Sequence, residues 1–179
     1  MLLLRCTKKM LLEWKIPHTS EEAVASSPLG PLGAWYGNLL RIQQRKCVLF
    51  TNEKTLFSFL VHDLKRRDFA LVPQIFREHL ARALLDAGIS GIGLRRLIEN
   101  YRDVAVAKTE SRKVLGCMND LAWHCEVLLQ EYGSHNLQTI VNELNDIPQC
   151  SMAPTPWPRE MLFSALAEPT TNIRRRRSI

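Results

Sequence analysis

Residues 35–61 read WYGNLLRIQQRKCVLFTNEKTLFSFLV, and this stretch decides the fold class. The stretch contains three largely apolar segments. Two polar groups of four residues separate them, QQRK at 43–46 and NEKT at 52–55. Connections of this length are typical of β-hairpins, so the pattern predicts antiparallel strands at 35–42, 47–51 and 56–61. The second and third strands are apolar at nearly every position, which predicts that both faces of the sheet are covered.

Further strands and helices are predicted on either side of this group. Residues 2–7 are mostly apolar and residues 103–108 alternate, and both segments read as strands. Apolar residues at helical spacing predict helices at 8–14, 72–87, 94–100, 112–132, 137–144 and 160–167. The sequence therefore predicts an α+β domain, with helices packed on a mostly antiparallel sheet of about five strands.

The chain length and the distribution of prolines predict one domain and a tail. The 179 residues fit a single domain, and the 46% apolar and 23% charged content is typical of globular proteins. Residues 18–31 are rich in Ser, Ala, Pro and Gly and read as a loop. Four prolines among residues 148–158 end regular structure. We expect a single α+β domain at 1–147 and a Pro-rich, then Arg-rich tail at 148–179, disordered at its end.

The positive charge is divided between the tail and the body. The net charge is +6, and five arginines against two glutamates from residue 148 onward supply +3 of it. The other 147 residues carry nineteen Lys and Arg against sixteen Asp and Glu, again +3. A basic balance of this size modestly favours a polyanionic partner. The run Arg174–Arg177 is a candidate contact with RNA, membrane or an acidic protein, or else a solvated chain end.

Cysteine usage and missing signals predict a cytoplasmic protein. Five cysteines, without a C-x-x-C pair, are typical of a reducing compartment. The sequence shows no secretory signal and no apolar run of membrane-spanning length, so we expect no membrane partner. The five histidines lack metal-binding spacing, and no phosphate-binding or dinucleotide-binding glycine motif occurs. We expect neither a metal nor a cofactor.

The predicted helix at 112–132 contains an unusual carboxylate. This helix is apolar nearly all round, because Gly116 and Trp123 lie opposite its main apolar face, and the pattern predicts burial on two sides. Asn119 and Asp120 interrupt it near the middle. A buried carboxylate is costly unless it is paired, so we expect Asp120 to meet a cation or several hydrogen-bond donors.

The segment before this helix supplies candidate partners for Asp120. Lys108 and Thr109 end the preceding strand, and Arg112 opens the helix at an N-terminus suited to anions. We interpret Lys108, Arg112 and Asp120 as catalytic residues: the two cations would clamp an anion, and Asp120 would orient them or act as a base. Thr109 and Asn119 are candidate ligand-binding residues. The alternative is a buried pair between Asp120 and Arg112 that fixes the helix to the sheet.

Two further polar groups lie in the antiparallel segment. Trp35, Tyr36 and Asn38 are candidate ligand-binding residues that would stack on and hydrogen-bond a base. The alternative is a strand start that packs on the helix layer. Asn52 and Glu53 are explained by a hairpin turn, where Asn tolerates left-handed backbone.

Four segments carry a resemblance to a known family, LRCTKK at 4–9, LGAWYGNL at 32–39, VLFTNEKTL at 48–56 and AKTESRKVLGCMND at 107–120. The sequence resembles a bacterial family of small uncharacterised domains with the motifs L-G-x-W-Y-x-N-L and A-K-T-x-x-R-x-V-L-G-x-M-N-D. This chain has Ala34 where the resemblance implies an acid and Cys117 where it implies serine. The resemblance implies a bacterial or phage-borne cytoplasmic protein and implies no reaction.

Size, basicity and the cluster of Lys108, Arg112, Asn119 and Asp120 lead to one functional hypothesis. We expect a protein that binds or cleaves nucleic acid, RNA in particular, in a toxin–antitoxin or phage-defence setting. One alternative is a non-catalytic module that binds a protein partner. Another is a binder of a small phosphate compound or nucleotide. The residues leave open whether the protein is an enzyme and which oligomeric state it adopts.

Overall fold

The computed structural model describes residues 1–15, 19, 29–149 and 156–167. Its five strands form one sheet in the order β4-β3-β2-β1-β5. The strands are β1 (Leu2–Cys6), β2 (Trp35–Ile42), β3 (Arg45–Asn52), β4 (Ser58–Leu64) and β5 (Val104–Lys108).

Six α-helices lie within the described residues, and short 3-10 helices at Arg66–Leu71 and Ser134–Asn136 precede two of them. None of the six is long and apolar enough to span a membrane. The helices are α1 (Lys8–Trp14), α2 (Val72–Asp86), α3 (Gly91–Glu99), α4 (Arg112–Tyr132), α5 (Leu137–Asn145) and α6 (Pro158–Ala167).

The sheet is mixed. β2 pairs with β3, and β3 with β4, in antiparallel fashion, whereas β1 runs parallel to both β2 and β5. The antiparallel part corresponds to the three strands predicted from residues 35–61. The parallel pairings involve strands joined by long connections that contain helices, as parallel neighbours require. The predicted α+β class with five strands is confirmed.

Helices cover both faces of the sheet, as the apolar strands predicted. On one face an aromatic cluster fills the core, with ring centroids 5.1–6.0 Å apart, and it comprises Trp35, Phe50, Phe59, Phe76 and Tyr101. On the other face α4 and α5 pack over Tyr36, Leu49 and Leu60. Edge-to-face ring pairs add to the free energy gained by burying these side chains.

Strand β4 runs past its predicted end at residue 61. It continues through His62 and Asp63 to Leu64, at the edge of the sheet. An edge strand tolerates charged residues because one side of its backbone faces solvent. Asp63 has a φ of +60°, and the register of β3 with β4 shifts here, so the strand passes through a bulge.

Helix α6 packs on the domain although it follows the proline-rich segment. Leu162 is 0% exposed and belongs to the core on the aromatic side of the sheet. Arg159 forms an ion pair with Asp146 at 3.1 Å. This helix therefore lies beyond residue 147 and still contributes to the core. Most of the predicted loop at 18–31 and the predicted disordered end at 170–179 lie outside the described residues.

Candidate functional site

The predicted catalytic group lies on the surface. Lys108, Arg112, Asn119 and Asp120 are all exposed, and Thr109 is half-buried in the turn before α4. The expectation that α4 is buried on two sides is therefore wrong, and Asp120 needs no buried partner. The alternative of a buried pair between Asp120 and Arg112 is wrong for the same reason. The catalytic roles stay predictions, without the burial argument that supported them.

The apolar outer side of α4 explains this error. Trp123 is 61% exposed and Val127 is 37% exposed. A non-charged side chain on a helix marks a buried face only statistically, since more than half of a protein surface is apolar. The pattern therefore could not separate a second buried face from an exposed apolar stripe.

Trp35 does not have the environment of a base-stacking residue. Its side chain is 0% exposed within the aromatic cluster, and its indole Nε1 donates a hydrogen bond to the Tyr101 hydroxyl at 3.2 Å. Neighbouring rings occupy the space that a base would need. The stacking role is therefore wrong, and the packing interpretation is confirmed.

Tyr36 and Asn38 point to the opposite face of β2 and join separate segments. The Tyr36 hydroxyl donates to Glu53 Oε1 at 3.3 Å and accepts from the Ser111 backbone N–H at 3.2 Å. Asn38 Oδ1 accepts a hydrogen bond from Thr7 Oγ1 at 3.1 Å. Burial raises the pKa of the Tyr36 hydroxyl, which keeps it protonated and able to donate. Both residues tie the sheet to its connections.

Arg5 also ties the sheet to the connection between β5 and α4, although no sequence pattern predicts this role. Its guanidinium donates to the Lys108 carbonyl at 3.2 Å and pairs with Glu110 at 2.7 Å. The Arg5 side chain is 15% exposed and that of Glu110 is 62% exposed, so this pair links β1 to the end of β5 at the surface of the protein. Parallel strands bring their carboxyl ends together, which is why residues a hundred positions apart meet here.

A different part of the sheet forms an open, positively charged groove of about 530 Å³. We call it the basic groove. It lies where the turn between β2 and β3 meets the end of β4, and four cationic side chains against one carboxylate give its lining a formal charge of +3. The lining residues are Gln43, Gln44, Arg45, Lys46, Asp63, Leu64, Lys65 and Arg66.

Strand pairing explains why two distant segments build this groove. Antiparallel β3 and β4 place Lys46 beside Leu64, so the start of one strand adjoins the end of the next. Along the sequence, residues 43–46 form a polar turn and residues 62–69 a charged link, with no local signal that joins them. In a group of three antiparallel strands, the first turn and the end of the third strand share one end of the sheet. That rule, applied to the basic pairs in both segments, would have predicted the groove.

The cationic side chains of the basic groove differ in their ion-pair partners. Asp63 accepts from Lys65 at 2.7 Å and from Arg45 at 3.1 Å, and the hydrogen bond from Lys65 lowers the pKa of the Asp63 carboxyl. Lys46 pairs with Glu13 of α1. Among the described residues Arg66 has no ion-pair partner, so its guanidinium is open to a ligand.

Backbone strain is concentrated at the basic groove. Five non-glycine residues in the described part of the chain have positive φ, and three of them, Gln43 (+48°), Gln44 (+63°) and Asp63 (+60°), line the groove. The left-handed conformation costs a non-glycine residue about 1–2 kcal/mol. The two-residue turn between paired Ile42 and Arg45 and the bulge at Asp63 account for these conformations, so the charge of the lining, and not the strain, indicates this groove.

Comparison with known proteins identifies a family and no activity. The family described as Domain of unknown function (DUF6933) matches residues 3–161, which is most of the chain, and the chain belongs to this family. The match confirms the predicted resemblance to a family of uncharacterised domains. No curated protein matches the chain, and no solved structure does. Function is therefore inferred from the chemistry of the chain itself.

Proposed function

We propose that this member of the DUF6933 family binds the phosphate backbone of a nucleic acid in the basic groove. The observation that carries the proposal is an open groove lined by four Lys and Arg side chains and a single carboxylate. Lys and Arg contacts to phosphates release counterions from the nucleic acid, and this release supplies most of the sequence-independent affinity.

The arginines of the groove suit phosphate oxygens. A guanidinium is planar and offers paired N–H donors, which match two oxygens of one phosphate. Arg66 is exposed and is available directly. Arg45 and Lys65 share Asp63, but their side chains are 54% and 50% exposed. Exposed ion pairs contribute little to stability, so an arriving phosphate can displace the Asp63 carboxylate at little cost.

The lining of the groove indicates weak discrimination between sequences. Among the described residues, Leu64 is the one apolar residue of the lining, and no aromatic ring lines the groove. Stacking and base-edge contacts are what read single-stranded sequence, whereas phosphate contacts position the chain without reading it. The volume of about 530 Å³ exceeds what one phosphate ion needs and falls in the usual range for ligand pockets, ~300–1,000 Å³. We therefore propose a backbone contact over more than one phosphate.

The proposal assigns binding to the groove and no reaction. The predicted cleavage of RNA relied on Lys108, Arg112 and Asp120, and none of these residues lines the groove. A toxin–antitoxin or phage-defence setting stays a prediction, as does a cytoplasmic location.

A double substitution tests the groove. Arg45→Gln/Arg66→Gln removes two guanidinium groups, and we expect the affinity for a fluorescein-labelled single-stranded RNA to fall at least roughly tenfold. Fluorescence anisotropy at low salt measures this, with a duplex DNA of equal length in parallel. The matched control is Arg95→Gln/Arg96→Gln on α3, which removes the same charge from exposed positions outside the groove. Equal losses in both variants would contradict a specific groove.

Two further experiments distinguish the groove from the basic end of the chain and from a small phosphate site. Replacement of Arg174–Arg177 by Gln in the full chain tests the basic end, and the proposal fails if this change abolishes binding while the groove variant retains it. Thermal denaturation with ATP or inorganic phosphate tests a small phosphate ligand, since a ligand that binds the folded state raises Tm. Stabilisation by ATP without any binding of RNA or DNA would replace the proposal with the small-molecule alternative.

A further inference from the structure

The basic groove adjoins helix α1 and the end of β2. Glu13 of α1 pairs with Lys46, which lines the groove. The helix lies directly on β2, because a Cβ atom added to Gly37 would come within 2.6 Å of Met10 Sδ. The Thr7 N–H also donates to the Gly37 carbonyl at 2.9 Å. Packing and hydrogen bonding therefore fix α1 and β2 beside the groove.

Two exposed cations lie on these elements, close to Lys46. Arg41 of β2 is paired with Lys46 of β3, and directly opposed residues of antiparallel strands project from the same face of the sheet. Lys9 precedes Glu13 by four residues, about one helical turn, so it lies on the side of α1 that meets Lys46. We call Lys9, Arg41 and Lys46 the basic track, which continues the groove across β2 onto α1.

Ion pairs within the chain do not account for the basic track. Neither Lys9 nor Arg41 has an ion-pair partner in the part of the chain that the structure describes. Like charges directly opposite each other on neighbouring strands are destabilising, and Arg41 and Lys46 are such a pair. Glu13 offsets the charge of Lys46. A polyanion that lies across Arg41 and Lys46 would relieve the repulsion that remains.

The positive charge of the body of the chain is concentrated at this surface. The basic groove and the basic track together carry six cationic side chains against two carboxylates, a formal charge of +4. Residues 1–147 carry +3 in total, so the rest of this range carries −1, thirteen Lys and Arg against fourteen Asp and Glu. The electrostatic field of the body therefore directs a polyanion to this surface. The six cations are Lys9, Arg41, Arg45, Lys46, Lys65 and Arg66, and the carboxylates are Glu13 and Asp63.

We infer that a nucleic-acid strand continues from the basic groove over the basic track, so that the site takes an oligonucleotide and not a mononucleotide. The inference rests on the proposed binding of phosphate in the groove. The cations lie in a row from the end of β4 across β3 to β2, and two strand spacings give this row a length of about 10 Å before it reaches α1. A row of cations suits successive phosphates of one strand, whereas a single phosphate requires donors that converge on one point.

Two RNA lengths and one further double substitution test the inference. Lys9→Gln/Arg41→Gln removes both cations that lie outside the groove. We expect its affinity for a labelled twelve-nucleotide RNA to fall at least roughly tenfold at low salt, since two phosphate contacts are lost. Its affinity for a three-nucleotide RNA, which the groove alone can hold, should stay unchanged. Fluorescence anisotropy measures both, and Arg95→Gln/Arg96→Gln on α3 is the matched control for the loss of two positive charges.

The stability of the variant provides an independent check. Arg41→Gln removes one of two like charges that face each other, so its Tm should be no lower than that of the original chain. Thermal denaturation measures this. A reduced affinity for RNA in a variant of unchanged or higher Tm therefore reports a lost contact and not a damaged fold.

The groove variant Arg45→Gln/Arg66→Gln separates the two proposals, because it should lose affinity for both RNA lengths. If it does so while Lys9→Gln/Arg41→Gln binds the twelve-nucleotide RNA like the original chain, the continued strand is overturned and the groove stands. An equal loss for both lengths in Lys9→Gln/Arg41→Gln would also overturn the continued strand. If the groove variant binds both RNAs like the original chain, the groove proposal fails, and the inference fails with it.

Discussion

At the scale of single residues, Asp63 controls the charge of the basic groove. Its carboxylate is the acidic group in the lining and holds both Arg45 and Lys65. Its positive φ limits which residues can replace it, because Asn is one of the few that adopts left-handed backbone readily. Replacement of Asp63 by Asn removes the negative charge and keeps the left-handed backbone. The effect of the charge can therefore be measured with the backbone geometry unchanged.

We predict that Asp63→Asn strengthens binding of the labelled RNA. The lining charge rises from +3 to +4, and removal of one unit charge about 6 Å from a phosphate in water gives roughly a threefold gain in affinity. Anisotropy at fixed salt measures the gain, and thermal denaturation checks that the fold is unchanged. Weaker binding by a stably folded Asp63→Asn would show that the groove does not receive phosphate.

His79 provides a prediction about pH. It lies in a small cavity between α2 and α5, and burial lowers the pKa of its imidazole, with the nearby Arg82 acting in the same direction. The unfolded chain therefore takes up this proton at a higher pH than the folded chain does. Stability should fall as the pH drops below the ordinary histidine pKa of about 6.5 towards the lowered value.

The variant His79→Gln isolates this contribution. We expect its Tm to change less than that of the original chain between neutral pH and pH ~5.5, since it removes one group that titrates in this window. Thermal denaturation at several pH values measures the difference, with His135→Gln as a control at an exposed histidine. An unchanged pH profile would mean that His79 is solvated in both states.

At the scale of secondary-structure elements, α4 shows which features the sequence predicts and which it does not. Its predicted bounds match the observed helix, because both end signals are local: the Ser111 hydroxyl accepts from Val114 N–H at 3.3 Å, and Gly133 ends the helix with a φ of +71°. Its environment was not predicted, since the partners of each face come from elsewhere in the chain. That is why Asp120 was expected to be buried and is instead exposed.

We predict that Gly116→Ala stabilises the folded chain by about 0.5–1 kcal/mol. Alanine has the higher helix propensity, and its Cβ would meet no atom within 4 Å. Urea unfolding measures the gain. A loss of stability would mean that Gly116 has a packing role inside the chain.

At the scale of the whole molecule, the local strand group was predictable and the sheet order was not. Residues 35–61 form three antiparallel strands because hairpins pair neighbours along the chain. Nothing local fixes that β1 lies between β2 and β5, because those pairings join segments far apart in sequence. The basic groove has the same origin. Its charges lie in two separate segments and form one surface only after β3 and β4 pair.

The dependence of RNA affinity on salt tests phosphate binding in the basic groove most directly. For single strands, each phosphate contact contributes about 0.7 to the slope of log affinity against log salt. We expect Arg45→Gln/Arg66→Gln to lower the magnitude of this slope by roughly 1.4, while Arg95→Gln/Arg96→Gln leaves it unchanged. An identical slope for the groove variant and the original chain, or no retention of RNA at low salt, would contradict phosphate binding at this site.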